Sequence, residues 1–168
     1  MRSFFLYFVL IVYTLLTGFK KYKLESLYKN ASKEEAEKYL HSLVRKWANL
    51  IVNLIGIKIE VRGQENLPSS NCVFIMNHQG ALDIPVILAS IDRPMGFISK
   101  KEMEKIKFMS YWMKQMKCIF IDRGNIRESI KVINQGIEYV KNGYSMVICP
   151  EGTRSKGPNV GEFKKGSL

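Results

Sequence analysis

A histidine and an aspartate stand five positions apart in the segment NHQGALD (residues 77–83), directly after the apolar run CVFIM (residues 72–76). A neutral imidazole next to a hydroxyl group can take its proton. His78 is therefore a possible base, and Asp83 is a carboxylate close to it in the chain. Because histidine and aspartate are common in turns, this spacing by itself more often marks an ordinary loop.

Two further polar segments follow apolar runs elsewhere in the chain. DRGN (residues 122–125) comes after CIFI, and PEGTRS (residues 150–155) comes after SMVIC. Their charged side chains are the carboxylates of Asp122 and Glu151 and the guanidinium groups of Arg123 and Arg154. In open α/β sheets, ligands bind at the carboxyl ends of the strands. If the apolar runs form parallel strands, all three polar segments meet at one edge of the sheet.

The hydrophobic pattern after Gly56 alternates between strands and helices. Four apolar runs (CVFIM, MGFIS, CIFI and SMVIC) predict strands, and all but MGFIS have the pattern of strands buried on both faces. IKIEVRG (residues 57–63) alternates as a half-buried strand does. Helical spacing predicts helices over residues 82–90, 101–116 and 126–141. Residues 57–168 are therefore predicted to form an α/β domain, a mostly parallel sheet flanked by helices.

Residues 1–56 are predicted to form a separate, membrane-associated helical region. Residues 3–19 carry no charge, and they lie between Arg2 and Lys20. Seventeen helical residues span about 25 Å, slightly less than the roughly 30 Å hydrocarbon core of a bilayer. We expect this helix to insert into the membrane, fully or to the depth of one leaflet, with its following lysines on the cytoplasmic side. A buried core helix is the alternative.

A second helix is predicted to follow. Ser32 and Glu35 fit a capping box at its start, and Gly56 is a suitable stop at its end. The apolar residues between them recur at helical spacing. That pattern predicts either a helix in the membrane interface, anchored by Trp47, or a helix packed on its own domain, and it does not separate the two.

The composition limits the kinds of partner. The chain has 168 residues, 46% hydrophobic and 24% charged, which is enough for one domain with a real core and excludes a disordered chain. The 26 Lys and Arg residues against 15 Asp and Glu residues give a formal charge of +11, typical of proteins that meet an anionic partner. Nucleic acid is not expected, because the sequence has no zinc-finger spacing and no aromatic RNA-binding motif.

The three cysteines, Cys72, Cys118 and Cys149, are too few for a disulfide framework. They fit small buried residues of a protein in a reducing compartment.

Five segments together resemble the motifs of the glycerolipid acyltransferase family. They are NHQGALD, SKKEM (residues 99–103), FIDR (residues 120–123), PEGTRS and FKKG (residues 163–166), and they occur in the family's order. The resemblance runs from about Ile57 to the end, and the two N-terminal helices suit the membrane-bound members. Cys149 stands where the family has an aromatic residue. The family also continues after FKKG with a helix and an apolar strand, so we expect the C-terminal part of the domain to be missing and this form to be weakly active or inactive.

The resemblance implies acyl transfer from a thioester, on coenzyme A or acyl carrier protein, to the sn-2 hydroxyl of 1-acylglycerol-3-phosphate, a lysophosphatidate. Phosphatidate is the product. In this reaction His78 is the base and Asp83 orients it, and neither a cofactor nor a metal is required. The implied partners are lysophosphatidate, the acyl thioester and membrane lipids. Two alternatives stay open: an acceptor such as glycerol-3-phosphate or another lysophospholipid, or a catalytically inactive membrane-binding fragment.

The resemblance also implies a set of substrate-binding residues. These are Lys101, Arg123, Glu151, Gly152, Thr153 and Arg154. Arg123 and Arg154 are expected to bind the acceptor phosphate through their planar forks, although Arg123 also suits an ion pair with a neighbouring carboxylate. Glu151 is expected either to bind an acceptor hydroxyl or to hold Arg123. Lys101 is expected to attract the phosphate or to stabilise the oxyanion, although a lysine beside a helix is more often simply solvated.

Overall fold

The structure is a computed structural model that describes residues 2–122, 124, 126–155 and 159–164, with the side chains of residues 2–11, 14–16 and 126–128 outside the description. The chain divides into two compact units, residues 1–58 and residues 59–168. The sequence pattern placed the change from helical region to sheet domain after Gly56. Arg123 lies outside the described residues, so its predicted role in phosphate binding is not tested.

The first unit contains two helices, α1 (Arg2–Asn30) and α2 (Lys33–Ile55), which pack against each other. α2 begins with the predicted capping box: the Glu35 amide donates to Ser32 Oγ at 3.1 Å, and the Ser32 amide donates to Glu35 Oε2 at 3.5 Å. Gly56 ends α2 in the left-handed conformation, with φ 77°. Both predicted ends of the second helix are confirmed.

The membrane predictions for these helices are not confirmed. Among the residues whose side chains the structure describes, no helix is both long and apolar enough to cross a membrane. Most side chains of the uncharged segment 3–19 lie outside that description. α2 buries apolar side chains, among them Leu40, Leu43 and Ile51, as expected of a helix packed on protein.

The second unit is built around a parallel sheet of four strands, β1 (Val73–Ile75), β2 (Met95–Lys100), β3 (Ile119–Ile121) and β4 (Ser145–Ile148). The strand order is β1-β4-β2-β3, and all three neighbouring pairs are parallel. Helices α3 (Asp83–Ser90), α4 (Lys107–Gln115) and α5 (Ile126–Lys141) connect the strands. The predicted α/β class and parallel pairing are confirmed, and α3 and α5 lie where the pattern placed them.

A small core holds α5 against the sheet. Ile119 of β3, Val132 of α5 and Met146 of β4 are almost fully buried together. α5 therefore packs against β3 and β4.

Three local predictions are wrong. Residues 57–63 form no strand, because alternation gives a strand only where a neighbour satisfies its backbone groups, and none pairs with this segment among the described residues. CVFIM is not buried on both faces: β1 is an edge strand, and Val73 and Ile75 are 43% and 53% exposed. The helix predicted over residues 101–116 begins instead with a 3-10 turn at Lys101–Lys105.

Gly96 permits a close crossing in the middle of the sheet. The turn between α4 and β3 passes over β2 at this point, and Lys117 in that turn has a positive φ of 62°. A Cβ atom on Gly96 would lie 2.5 Å from the carbonyl oxygen of Lys117 and 3.0 Å from that of Met116. Both neighbours are backbone atoms, so they cannot move aside as a flexible side chain does.

We therefore predict that Gly96→Ala destabilises the protein, by about 1–3 kcal/mol, the usual cost of overpacking a core. The matched control is Gly136→Ala in α5, whose new Cβ would lie at an ordinary 3.4 Å from a side-chain methyl of Ile119. The control should be neutral or slightly stabilising, because alanine favours helices. Urea unfolding of the two variants provides the comparison, and equal midpoints would contradict the close crossing.

Candidate active site

The four parallel strands bring four polar positions to one edge of the sheet. His78 follows β1, Glu151 follows β4, Lys101 follows β2 and Asp122 follows β3. Given the strand order, the segment after the central strand β4 lies between the segments that follow β1 and β2. The predicted convergence of separate polar segments at one edge is therefore observed.

The His78–Asp83 pair forms at the junction between β1 and α3. Asp83 is the first residue of α3, and its Oδ2 lies 2.6 Å from His78 Nδ1. The same oxygen accepts hydrogen bonds from the backbone amides of Gln79 at 2.8 Å and Gly80 at 2.9 Å. A carboxylate can only accept, so the neutral ring carries its proton on Nδ1 and presents an unprotonated Nε2. These three bonds fold the loop around the aspartate and orient the imidazole.

The segment after β4 contacts the backbone of His78 on both sides. The His78 amide donates to Glu151 Oε1 at 2.9 Å. The amide and the hydroxyl of Ser155 both donate to the carbonyl oxygen of His78, at 2.7 Å and 2.8 Å. The side-chain amide of Gln79 in turn donates to Ser155 Oγ at 2.8 Å.

Ser155 and Gln79 were missed by the sequence analysis. Each lies in a segment that the motifs singled out, but their contact joins positions 76 residues apart. No local spacing reveals such a contact. The sequence offered one weak signal for this contact. A hydroxyl group and a side-chain amide, which can bond to each other, lie in two loops that were already expected to meet.

Glu151 is almost fully buried, with 2% of its surface exposed. Its Oε1 accepts the hydrogen bond from the His78 amide, and its Oε2 has no hydrogen-bond partner among the described residues. A Cβ atom on Gly161 would lie only 2.5 Å from Oε2, so the returning chain packs tightly over this oxygen. Neither of the two roles expected for Glu151 is visible directly, because Arg123 and the substrate are outside the described structure.

Between Glu151 and Ser155, the PEGTRS segment turns outward. Gly152 has a positive φ of 66°, which favours glycine, and its amide donates to the carbonyl oxygen of Cys149 at 3.0 Å. Thr153 and Arg154 are exposed beyond this turn. Both side chains are therefore accessible to a ligand.

On the β2–β3 side of the edge, Lys101 Nζ lies 3.4 Å from Asp122 Oδ2. Both side chains are about half exposed, so the pair contributes little to stability and the ammonium group remains accessible. Asp122 Oδ1 also accepts a hydrogen bond from the Gly124 amide at 3.1 Å. The described contacts do not connect this pair directly to His78. Within the described residues, no group of three or more His, Cys, Asp or Glu side chains has the arrangement of a metal site.

Known proteins resemble this chain in sequence and in fold. It is 36% identical over 133 residues to a chloroplastic 1-acyl-sn-glycerol-3-phosphate acyltransferase of Brassica napus, covering 78% of this chain and 38% of that protein. It is 30% identical over 165 residues to a probable 1-acyl-sn-glycerol-3-phosphate acyltransferase of Mycoplasma pneumoniae, covering 96% of this chain and 60% of that protein. The chain thus spans between about two fifths and three fifths of the length of these relatives.

A solved structure shows the same fold. The crystal structure of the 1-acyl-sn-glycerophosphate acyltransferase of Thermotoga maritima superposes with a TM-score of 0.84 at 29% identity, over 100% of this chain and 69% of that one. Residues 58–168, more than half of the chain, match the family model named acyltransferase. The resemblance seen in the sequence motifs is confirmed, and the chain belongs to the acyltransferase family.

Proposed function

We propose that the protein transfers an acyl group from an acyl thioester to the sn-2 hydroxyl of 1-acylglycerol-3-phosphate, giving phosphatidate. The observation that carries this proposal is the 2.6 Å contact between His78 Nδ1 and Asp83 Oδ2, which leaves Nε2 as a proton acceptor at the edge of the sheet. The names of the relatives support the same acceptor.

The proposed chemistry needs one base and no protein nucleophile. The acceptor hydroxyl attacks the thioester carbonyl carbon while His78 Nε2 takes the hydroxyl proton. The carbon–sulfur bond then breaks, and the proton passes from the imidazolium to the leaving thiolate, which departs as a thiol. Asp83 stabilises the imidazolium between these two steps, and such a positioned base typically contributes about 10²–10⁴-fold in rate.

Cationic side chains along the same edge suit the acceptor phosphate. Arg154 is exposed next to the loop that holds His78, and Lys101 lies on the β2–β3 side with its ammonium accessible. Arg123, directly after Asp122, completes the proposed set. Gly152 and Thr153 provide the turn that carries Arg154, and the acyl donor is a thioester of coenzyme A or of acyl carrier protein.

The reaction is tested by thiol release from an acyl-coenzyme A, with and without lysophosphatidate, in the wild type and in His78→Ala. The wild type should release thiol only when acceptor is present. His78→Ala should lower kcat by about 10²–10³-fold, because the proton acceptor is lost. The matched control is His41→Ala in α2, which removes the other histidine and should keep wild-type turnover.

Release in the presence of glycerol-3-phosphate but not lysophosphatidate would replace the proposed acceptor. Absence of release with every acceptor, from a folded protein and with both thioester donors, would favour an inactive membrane-binding fragment.

Arg123→Lys tests the phosphate assignment. Lysine keeps the charge but loses the planar fork that matches phosphate oxygens, so the acceptor KM should rise about tenfold while the donor KM stays unchanged. Arg62→Lys is the control, because Arg62 is an exposed residue that pairs with Glu60 outside the site. A rise confined to the donor KM would move Arg123 out of the phosphate site.

We also propose that the protein works at the cytoplasmic surface of a membrane, where its lipid acceptor resides. The uncharged segment 3–19 and the formal charge of +11 support this location. Removal of residues 1–23 should shift the protein from sedimented anionic vesicles toward the supernatant, and residual binding should weaken with salt. Complete retention of the shortened protein at high salt would show that this segment is not the main anchor.

A further inference from the structure

We propose that Glu151 and Ser155 are positioning residues, which fix the backbone of His78, and that Glu151 does not bind the acceptor. This inference rests on the proposed function, because it assigns roles within the same site. It concerns how the base is held in place, which the family match leaves open.

The peptide groups on both sides of the His78 Cα atom are bonded to one segment. The amide donates to Glu151 Oε1 at 2.9 Å, and the carbonyl oxygen accepts from the Ser155 amide at 2.7 Å and hydroxyl at 2.8 Å. Asp83 fixes the ring itself through Nδ1. The backbone and the ring of the base are thus held by separate sets of bonds, which leave Nε2 with little freedom of direction.

The burial of Glu151 argues against contact with substrate. The residue is only 2% exposed, and its Oε2, which has no hydrogen-bond partner among the described residues, has almost no accessible surface. An acceptor hydroxyl therefore has no path to this oxygen in the observed conformation. A buried carboxylate needs hydrogen-bond donors, and the amide of His78 is the donor that the described residues supply.

The chain closes over Glu151 after the PEGTRS segment. The Lys164 amide donates to the carbonyl oxygen of Pro150 at 3.0 Å, which holds the segment around Lys164 close to the residue that precedes Glu151. A Cβ atom on Gly161 would lie 2.5 Å from Glu151 Oε2 and 3.2 Å from its Cδ. A side chain at position 161 would therefore press on Glu151, which accepts the hydrogen bond from the His78 amide.

Two substitutions of Glu151 separate positioning from ligand binding. Glu151→Gln keeps an oxygen that accepts from the His78 amide, so kcat should stay within about threefold of wild type. Glu151→Ala leaves that amide unpaired and should lower kcat by about 10²-fold, the effect of a small misplacement at a reacting centre. Both variants should leave the acceptor KM unchanged. The control is Glu162→Ala, an exposed carboxylate nearby, which should change neither constant.

Ser155 and Gly161 extend the test to two residues that no substrate is proposed to touch. Ser155→Ala should lower kcat about three- to tenfold, because the Ser155 amide still holds the carbonyl, and Ser155→Thr should restore it. Ser69→Ala, at an exposed site, is the control. Gly161→Ala should lower kcat like Glu151→Ala, while Gly136→Ala should not.

Amide hydrogen exchange at His78 tests the positioning role of Glu151 without any substrate. Exchange should be faster in Glu151→Ala and Gly161→Ala than in Glu151→Gln and wild type. Unchanged exchange at His78 in the folded Ala variants would overturn the positioning role, whether or not the wild type transfers acyl groups. A higher acceptor KM in Glu151→Gln with unchanged kcat would also overturn it. If Glu151→Ala fails to fold, Gly161→Ala and the two Ser155 variants decide the question.

Discussion

The site depends on the parallel pairing of β1 with β4. Ile75 and Ile148 are partners in this register, and His78 and Glu151 each lie three residues beyond them. Equal spacing after aligned strand ends brings the amide of His78 to the carboxylate of Glu151, although 73 residues separate them in the chain. In an antiparallel pair the two segments would leave from opposite ends of the strands. The direction of the sheet is therefore a precondition for the proposed base.

The edge of the sheet has two parts with different electrostatic character. On the β1–β4 side, the carboxylates of Asp83 and Glu151 are shielded and accept hydrogen bonds from the His78 loop. On the β2–β3 side, the pair formed by Lys101 and Asp122 is open to solvent. Hydrogen bonds that are shielded from solvent fix the positions of the groups they join. An exposed ion pair, in contrast, can rearrange at little cost when an anion binds. This division matches the proposed proton acceptor on one side and the proposed phosphate site on the other.

Most of the α/β fold could be predicted from the sequence because strand–helix alternation is a strong local signal. It placed all four strands of the described sheet, β1 to β4, together with α3 and α5, and it singled out the His78–Asp83 pair. It failed where the outcome depends on distant neighbours. The segment 57–63 alternates like a strand but has no partner among the described residues, and the exposure of Val73 and Ile75 follows from the edge position of β1. The bonds of Ser155 to His78 were equally invisible, because side-chain contacts between loops have no periodicity.

The central claim is that Asp83 holds the His78 ring with its proton on Nδ1 and leaves Nε2 free to accept one. Nitrogen NMR of histidine-labelled protein reads this tautomer directly, and only two histidines contribute signals. His41→Ala assigns them. The account predicts that neutral His78 carries its proton on Nδ1, with Nε2 unprotonated. A His78 ring that carries its proton on Nε2, or that exchanges freely between both tautomers, would contradict the account.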